Sequence, residues 1–421
     1  MKNEKLKIRE YKFPKDFLWG VAISSYQVEG NNYYSDWYSW EKLGKIKDGS
    51  TSGLACDFYH RYQEDIDLAK NLNLNAFRLS LEWSRIEPKE GEFNEKEIAH
   101  YQKILNYLKE KKFKIFLTFW HFTLPWWLAK IGGWENKKSV FYFTRFVEKI
   151  VSQFSHLVDF WLTLNEPLIY VACSYFLGLW PPEKRNLISA FKVFLNLIKA
   201  HQKSYQIIHQ FLPEAKVGIA NNLVFFKPKE KFFDKKLANF FHSFYNYIFY
   251  SLTKNTHDFI GLNYYTCHRV EFFKFFDLIK RMTSENPETR TIRKEVHPEG
   301  LYFLLKDLKK FNLPIYITEN GLADSGDRRR RRFILRHLKY LWQAIQEGVD
   351  IRGYLYWSLI DNFEWREGFK PRFGLFELNY ETLERRPRKS AYLFKEICQK
   401  NALTKEIVEK YDPERIKEIF P

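Results

Sequence analysis

The chain has 421 residues, 45% of them hydrophobic, and 68 Lys and Arg against 51 Asp and Glu leave a formal net charge of +17 at pH 7. This length exceeds the ~100–200 residues of a typical domain but suits one barrel with loop insertions, so we predict a single domain over residues 1–421. The uncharged run at residues 115–129 is shorter than the ~20 residues needed to cross a bilayer, so we predict no transmembrane helix.

Eight β-prone apolar runs recur along the chain at the intervals typical of β/α units. They span residues 18–24, 76–80, 114–119, 160–164, 216–220, 258–264, 315–318 and 353–357. Helical patterns between them include residues 57–71 and residues 95–112, the latter with apolar residues at spacings of three and four. This alternation indicates a parallel sheet with helices outside it, and eight repeats allow closure. We therefore predict an α/β fold, a (β/α)8 TIM barrel with its active site at the C-terminal ends of the strands.

The positive charge is dispersed along the chain. Its densest cluster, Arg328 to Arg332, precedes an apolar helical pattern made by Phe333, Leu335, Leu338 and Leu341. We expect this cluster to form the exposed first turns of a helix. A basic chain can bind nucleic acid or anionic membranes, but the aromatic and basic signatures of nucleic-acid modules are missing. We predict no nucleic-acid partner.

The four cysteines are widely spaced and include no Cys-x-x-Cys pair, which indicates neither a disulfide framework nor a zinc site. We expect reduced thiols, most of them buried. Residues 1–14 alternate charged and apolar side chains without the apolar stretch of a signal peptide. The expected location is the cytoplasm.

Two short segments each place a carboxylate at the end of a hydrophobic run. They are Thr-Leu-Asn-Glu-Pro at residues 163–167 and Ile-Thr-Glu-Asn-Gly at residues 317–321. A barrel gathers strand ends from distant parts of the chain into one pocket, so Glu166 and Glu319 should meet there. A lone glutamate is more often an exposed loop acid, but a pair at two strand ends indicates glycoside hydrolysis.

Several motifs in the same order resemble glycoside hydrolase family 1 β-glycosidases. The likeness runs from Phe-Pro-Lys-Asp-Phe-Leu-Trp-Gly at residues 13–20 to Arg-Pro-Arg-Lys-Ser-Ala at residues 386–391. It implies hydrolysis of terminal β-D-glycosides or oligosaccharides by double displacement through a covalent glycosyl-enzyme intermediate, with retained configuration. Two carboxylates and water suffice for this chemistry, so we expect no metal and no organic cofactor.

By this resemblance Glu166 is the general acid/base and Glu319 the nucleophile, supported by Arg78 and Tyr265. One carboxyl must stay protonated to release the leaving group, and the other must be ionised to attack the anomeric carbon. A positive charge and a phenol hydroxyl beside Glu319 favour its charged form. A retaining enzyme holds the two carboxyl groups about 5 to 5.5 Å apart, and we predict this short separation.

The resemblance also assigns the sugar subsite, with side chains that donate or accept hydrogen bonds in fixed directions and a stacking floor at Trp357. Such directed contacts discriminate between epimers, because an unpaired buried hydroxyl is strongly penalised. Asn165 adjoins the acid and should meet the 2-hydroxyl. The substrate-binding residues are Gln27, His121, Asn165, Asn263, Trp357, Glu364 and Trp365.

Family members that act on 6-phospho sugars resemble one another in carrying Ser at the position of Glu364, and Lys and Tyr at those of Pro371 and Phe373. This chain has none of the three. A carboxylate at Glu364 would repel a phosphate, so we expect an unphosphorylated glycone, with glucoside, galactoside and fucoside left open.

The chain departs from the family in two places. Phe122 and Thr123 stand where Trp and Asp are common, and the segment between Asn221 and Asp258 is shortened beside the expected entrance. Two other functions remain open: a sugar-binding protein that has lost catalysis, which requires a missing or misplaced carboxylate, and a basic interaction protein, which would bind nucleic acid with a steep salt dependence.

Overall fold

A computed structural model describes residues 10–229, 231–271 and 296–421. Its central element is a closed barrel of eight parallel strands, each hydrogen-bonded to the next in chain order, with the last paired to the first. The strands of the described residues are β1 (Glu10–Lys12), β2 (Leu18–Ala22), β3 (Ala76–Ser80), β4 (Lys114–Trp120), β5 (Phe160–Asn165), β6 (Val217–Pro228), β7 (Ile260–Val270), β8 (Ile315–Asn320), β9 (Ile351–Trp357), β10 (Phe376–Leu378), β11 (Arg385–Pro387) and β12 (Ala402–Thr404). The barrel consists of β2 to β9, so each of the eight predicted strands and the predicted fold class are confirmed.

Helices alternate with the barrel strands. They are α1 (Ser25–Val28), α2 (Asp36–Glu41), α3 (Phe58–Asn71), α4 (Trp83–Ile86), α5 (Glu95–Glu110), α6 (Trp126–Lys130), α7 (Lys138–Phe154), α8 (Pro167–Tyr170), α9 (Leu187–Phe211), α10 (Phe232–Leu252), α11 (Pro298–Leu308), α12 (Arg328–Gln346), α13 (Lys389–Lys400), α14 (Lys405–Tyr411) and α15 (Ile416–Ile419). A π-helical segment, Val171–Phe176, follows α8. Short 3-10 turns occupy Gly133–Glu135, Lys309–Phe311, Trp365–Glu367 and Pro413–Arg415. The helices predicted over residues 57–71 and 95–112 are confirmed as α3 and α5.

The apolar periodicity of α5 matches its buried face, formed by Ile98, Tyr101, Ile104, Leu105 and Leu108. This face packs on the barrel and leaves the charged side chains outward. None of the helices in the described ranges combines the length and apolarity needed to cross a lipid bilayer.

Aromatic side chains fill the end of the barrel where the strands begin. Phe116 and Phe160 stack with ring centroids 4.1 Å apart, and Tyr316 lies edge-on to Phe160 at 4.9 Å. These residues stand near the starts of β4, β5 and β8. At the opposite end of the barrel, β5 ends at Asn165 and β8 ends at Asn320. Packed aromatic side chains therefore fill one end of the barrel, and the polar side chains that can bind a ligand or react lie at the other end.

Two small antiparallel sheets lie outside the barrel. The strand β1 pairs with β12 in the register Tyr11 to Leu403, which joins the two ends of the described chain. The strands β10 and β11 pair with Glu377 opposite Arg386.

The structure corrects the prediction for the arginine cluster at the start of α12. Arg328 and Arg329 are exposed, but Arg330 is 0% exposed. Its guanidinium donates to Asp327 Oδ1 at 2.6 Å and to the carbonyl oxygens of Asp324 and Arg372, both at 2.5 Å. Arg330 is therefore a buried anchor of the helix start, because the loop after β9 folds over it and supplies acceptors that the local pattern does not reveal.

Candidate active site

The C-terminal ends of the barrel strands present polar side chains to one rim. Glu166 directly follows β5, and Glu319 is the penultimate residue of β8. The partner of Glu319 across the sheet is Asn263 of β7. Arg78 lies in β3 and Trp357 ends β9. Residues separated by up to several hundred positions in sequence therefore share one edge of the barrel.

Glu319 is held between a cation and a phenol. Arg78 Nη1 donates to Glu319 Oε1, and the hydroxyl of Tyr265 donates to Glu319 Oε2 at 2.7 Å. Both Arg78 and Glu319 are buried. Burial, and after it the charge of Glu319, raise the pKa of Tyr265 well above its usual value, so this phenol keeps its proton and remains a donor. Arg78 and Tyr265 together stabilise negative charge on Glu319.

Glu166 has different neighbours. Its Oε1 accepts from Asn263 Nδ2 at 2.8 Å and from Asn222 Nδ2 at 3.2 Å, and its side chain is buried. Burial is the first cause that raises its pKa above the ordinary glutamate value of 4.5, and the charge of Glu319 is the second. Each effect disfavours a second negative charge in the site. Burial and the charge of Glu319 therefore both favour the protonated form of Glu166.

Asn222 was missed by the reasoning from sequence. It lies in β6, opposite Asn263 in the sheet register. The available signal was the Asn-Asn pair at residues 221–222, directly after the predicted strand that ends at Ala220. A polar pair at a barrel strand end is a reason to expect contact with the site.

A chain of amides connects the two carboxylates. Asn165 Oδ1 accepts from Arg78 Nη2 at 2.7 Å and from Asn263 Nδ2 at 3.2 Å. Asn263 is oriented in turn by Thr318, whose hydroxyl donates to Asn263 Oδ1 at 2.7 Å. Since amide groups have fixed donor and acceptor ends, these contacts fix the orientation of both side chains.

His121 is a neutral imidazole in this site. Burial, followed by the charge of Arg78, lowers its pKa well below the usual value. Its Nε2 accepts from Asn165 Nδ2 at 3.1 Å, which places the ring proton on Nδ1. Within the described residues, Nδ1 is buried and has no hydrogen-bond partner. It is a donor ready for a hydroxyl of a bound ligand.

Two tryptophans and two polar side chains complete the pocket wall. The rings of Trp357 and Trp365 lie near-parallel to His121, with centroids 6.1 and 5.9 Å away. Trp357 Nε1 donates to Glu364 Oε1 at 3.3 Å, and Gln27 Nε2 lies 3.4 Å from Glu364 Oε2. Aromatic faces beside directed polar groups are suited to a sugar ring, which has both C–H faces and hydroxyls.

The structure brings all the predicted site residues together, because the contacts above link each of them to at least one other. It also locates Phe122 and Thr123, where we expected a departure from the family pattern. Phe122 packs against Trp180 and Trp365, with ring centroids 4.9 and 5.3 Å away. Thr123 donates to the buried Glu82 at 3.0 Å. Both departures therefore shape the wall behind Trp365 and the loop that follows His121.

The segment after Asn221, which we expected to be shortened, contains the end of β6 and the helix α10. The two strands β6 and β7 continue their parallel pairing beyond the barrel, from Phe225 opposite Cys267 to Pro228 opposite Val270. The four cysteines are free, and Cys267 is the least buried of them.

Comparison with known proteins agrees with this geometry. The model of the family described as Glycosyl hydrolase family 1 matches residues 9–253 and 249–403. A 1,4-beta-D-glucan glucohydrolase of Thermotoga neapolitana is 33% identical over 441 residues, covering 93% of this chain and 99% of the relative. A beta-galactosidase of Pyrococcus woesei is 32% identical over 506 residues, covering 94% and 99%. The solved structure of a beta-glycosidase from Pyrococcus horikoshii superposes with a TM-score of 0.87 and 37% identity, over 96% of this chain and 98% of that chain.

Proposed function

Because this chain belongs to glycosyl hydrolase family 1 and is a retaining β-glycosidase, we propose that Glu166 and Glu319 are its catalytic pair and that it releases an unphosphorylated terminal sugar. The observation that carries the assignment is the unequal surroundings of the two carboxylates. Glu319 contacts Arg78 and Tyr265, whereas Glu166 contacts only neutral amides among its hydrogen-bond partners in the described residues. The general acid must be protonated and the nucleophile must be ionised, so two carboxyl groups in such different environments suit these two roles.

In the first step, Glu319 attacks the anomeric carbon while Glu166 gives its proton to the departing glycosidic oxygen. The bond to the leaving group breaks, and a bond from the sugar to Glu319 forms. The charge on Glu319 is consumed in this ester, and Glu166 is now ionised. Arg78 and Tyr265 stabilise Glu319 again when it leaves in the second step.

In the second step, Glu166 takes a proton from water, and the hydroxide attacks the anomeric carbon. The ester to Glu319 breaks, and Glu166 is protonated once more. Two inversions at one carbon return the β configuration. Asn165, which is held by Arg78 and His121, contacts the 2-hydroxyl during both steps of the proposed reaction.

The glycone is a neutral sugar. Glu364 is fully buried and lies beside Gln27 and Trp357, in the wall that would face the outer hydroxyls. A phosphate at that position would be brought against a buried carboxylate. Glucosides and galactosides are both candidate substrates, since one similar protein is named as a glucan glucohydrolase and another as a beta-galactosidase.

The test is a panel of nitrophenyl β-glycosides and their 6-phospho forms, with the anomeric configuration of the product followed by proton NMR. We expect turnover of neutral glycosides, with the β-anomer appearing first. Glu319→Ala should lose turnover by at least about 10⁴-fold, as nucleophile removal does elsewhere. Full activity in Glu319→Ala, or a preference for the phosphorylated sugars, would contradict the proposal. The exposed Glu381→Ala serves as the control and should behave as the unchanged protein.

A further inference from the structure

A second cavity lies outside the candidate active site. It has a volume of about 240 Å³ and is enclosed by the loop that follows α1, the start of α3, the short helix α4 and the start of α5. None of its lining residues belongs to the catalytic pair or to the sugar subsite. Its size is below the ~300–1,000 Å³ of sites for drug-sized ligands, so it has room for a single ring.

The floor of this cavity is a rigid, charge-compensated cluster around Arg85. The guanidinium donates to Glu29 Oε2 at 3.2 Å, to the carbonyl of Gly30 at 2.6 Å and to Asn32 Oδ1 at 2.6 Å. It also lies 4.0 Å from Glu97 Oε2, beyond hydrogen-bond distance. Because the positive charge already faces two carboxylates, the floor offers no excess charge for an anionic ligand.

Two residues of the cavity lining each carry a polar atom that is buried and has no hydrogen-bond partner within the described residues. The two atoms are Asn32 Nδ2, a donor, and Glu97 Oε2, an acceptor. Asn32 as a whole is only 3% exposed. Orphaned buried polar groups are rare in folded proteins, because each has lost its water without a replacement. A hydroxyl can accept from the first and donate to the second.

Aromatic rings stand at the cavity mouth. Tyr33 and Tyr34 are 53% and 56% exposed, and both line the cavity. Tyr59 forms a wall and donates its hydroxyl to Glu97 Oε1 at 3.1 Å. Exposed rings beside directed polar atoms suit a ligand with an apolar C–H face and several hydroxyls.

We propose that this cavity is a second saccharide site, which holds one neutral hexose ring between the orphaned atoms of Asn32 and Glu97 and the rings of Tyr33 and Tyr34. The sugar hydroxyls satisfy the donor and the acceptor, and a ring face covers the exposed aromatics. The site lies on the C-terminal face of the barrel, since its loops follow β2 and β3. It therefore binds a sugar on the same face as the catalytic rim without sharing its residues.

The proposal is tested by equilibrium dialysis of the full chain against radiolabelled glucose and, separately, galactose. Neither sugar is hydrolysed, so the result does not depend on the catalytic assignment. We expect two bound equivalents of at least one of these sugars for the unchanged protein. Asn32→Asp keeps the acceptor for Arg85 but removes the orphaned donor, and it should weaken one of the two sites by about tenfold or more.

The matched control is Asn31→Asp, which adds the same charge at the neighbouring lining residue and keeps the acceptor used by Tyr33. It should retain both equivalents. Tyr34→Ala, an exposed substitution that leaves the core intact, should weaken the same site as Asn32→Asp. No binding of either sugar by the unchanged protein, or binding that neither Asn32→Asp nor Tyr34→Ala weakens, overturns the proposal. Hydrolysis of a nitrophenyl glycoside, measured in parallel, reports whether each variant is folded.

Discussion

Arg78 is the residue on which both carboxylates depend. It contacts Glu319 directly and reaches Glu166 through Asn165 and Asn263. A single guanidinium therefore stabilises charge on one acid and orients the amides that contact the other. The residues themselves were assigned from family motifs, and the short separation of the carboxyl groups stays a prediction.

The role of Glu166 can be tested through the leaving group. Glu166→Ala removes the proton donor, so glycosides with poor leaving groups should lose activity by at least about a hundredfold. Nitrophenyl glycosides need little protonation and should still form the intermediate, which then accumulates because no base activates water. Stopped-flow kinetics would detect this as a burst of nitrophenol followed by slow turnover. Equal losses of activity on glycosides with good and with poor leaving groups would contradict the role of Glu166 as the proton donor.

We predict that Asn222 affects the basic limb of the pH profile. With Glu166 as the proposed acid, activity should be lost as pH rises through the raised pKa of this carboxyl. The hydrogen bond from Asn222 lowers that pKa, because it stabilises the ionised form. Asn222→Leu should therefore move the basic limb of kcat/KM to higher pH. A limb at an unchanged pH would show that Asn222 does not act on Glu166.

At the scale of elements, β6 and β7 are longer than their sequence patterns predict. The predicted strands end at Ala220 and Tyr264, whereas the structure continues them to Pro228 and Val270. In β6, the polar pair at residues 221–222 interrupts the apolar run, so the sequence pattern predicts that the strand ends there. The pairing of the two strands continues beyond it, and Phe226 packs on Phe241 of α10 at 5.5 Å. Long-range pairing overrides local composition at these ends.

The start of α12 provides a stability test at the same scale. Arg330→Met removes a buried cation and leaves Asp327 without its ion-pair partner, since these two form a salt bridge at 2.6 Å. We expect the free energy of unfolding, measured by urea titration, to fall by about 3–5 kcal/mol. The exposed Arg329→Met should change it by less than about 0.5 kcal/mol. Similar losses in the free energy of unfolding for the two variants would contradict the role of Arg330 as a buried anchor.

At the scale of the whole molecule, buried carboxyl groups tie together the loops above the barrel. Asp36, the first residue of α2, accepts from the backbone amides of Trp37 at 2.9 Å and Leu124 at 2.8 Å. Leu124 belongs to the loop after β4. Burial raises the pKa of Asp36 from 3.8 to about 8. Burial therefore favours a protonated carboxyl, whereas the two backbone hydrogen bonds favour the ionised form.

The raised pKa of Asp36 makes the stability of the folded protein depend on pH. The folded state binds the proton of Asp36 more tightly than the unfolded state, so the contribution is complete below about pH 4 and is lost as pH rises through about 8. Asp36→Asn keeps the Oδ1 acceptor and cannot ionise. Between these pH values the free energy of unfolding of the unchanged protein should fall relative to Asp36→Asn. The control Asp16→Asn changes an exposed residue, and its free energy of unfolding should vary with pH as that of the unchanged protein does. The same pH dependence in Asp36→Asn would refute the prediction.

The single domain over residues 1–421, the neutral glycone and the lack of a nucleic-acid partner stay predictions from sequence. The eight strands were predictable because each barrel strand is a short apolar run between polar helices, which is a local signal. The site was predictable to the extent that its residues lie in motifs, as Glu166 and Glu319 do. Asn222 and the cavity at Arg85 carry no such motif.

The order and number of the β/α units and the residue types at the strand ends follow from the sequence, because periodicity and composition act over a few neighbouring positions. Which of these side chains meet depends on the folded chain. Asn222 reaches Glu166 across 56 positions, and Arg330 is covered by a loop 42 positions away. Such contacts arise from barrel closure and loop packing, which join distant parts of the chain and leave no trace in the local pattern.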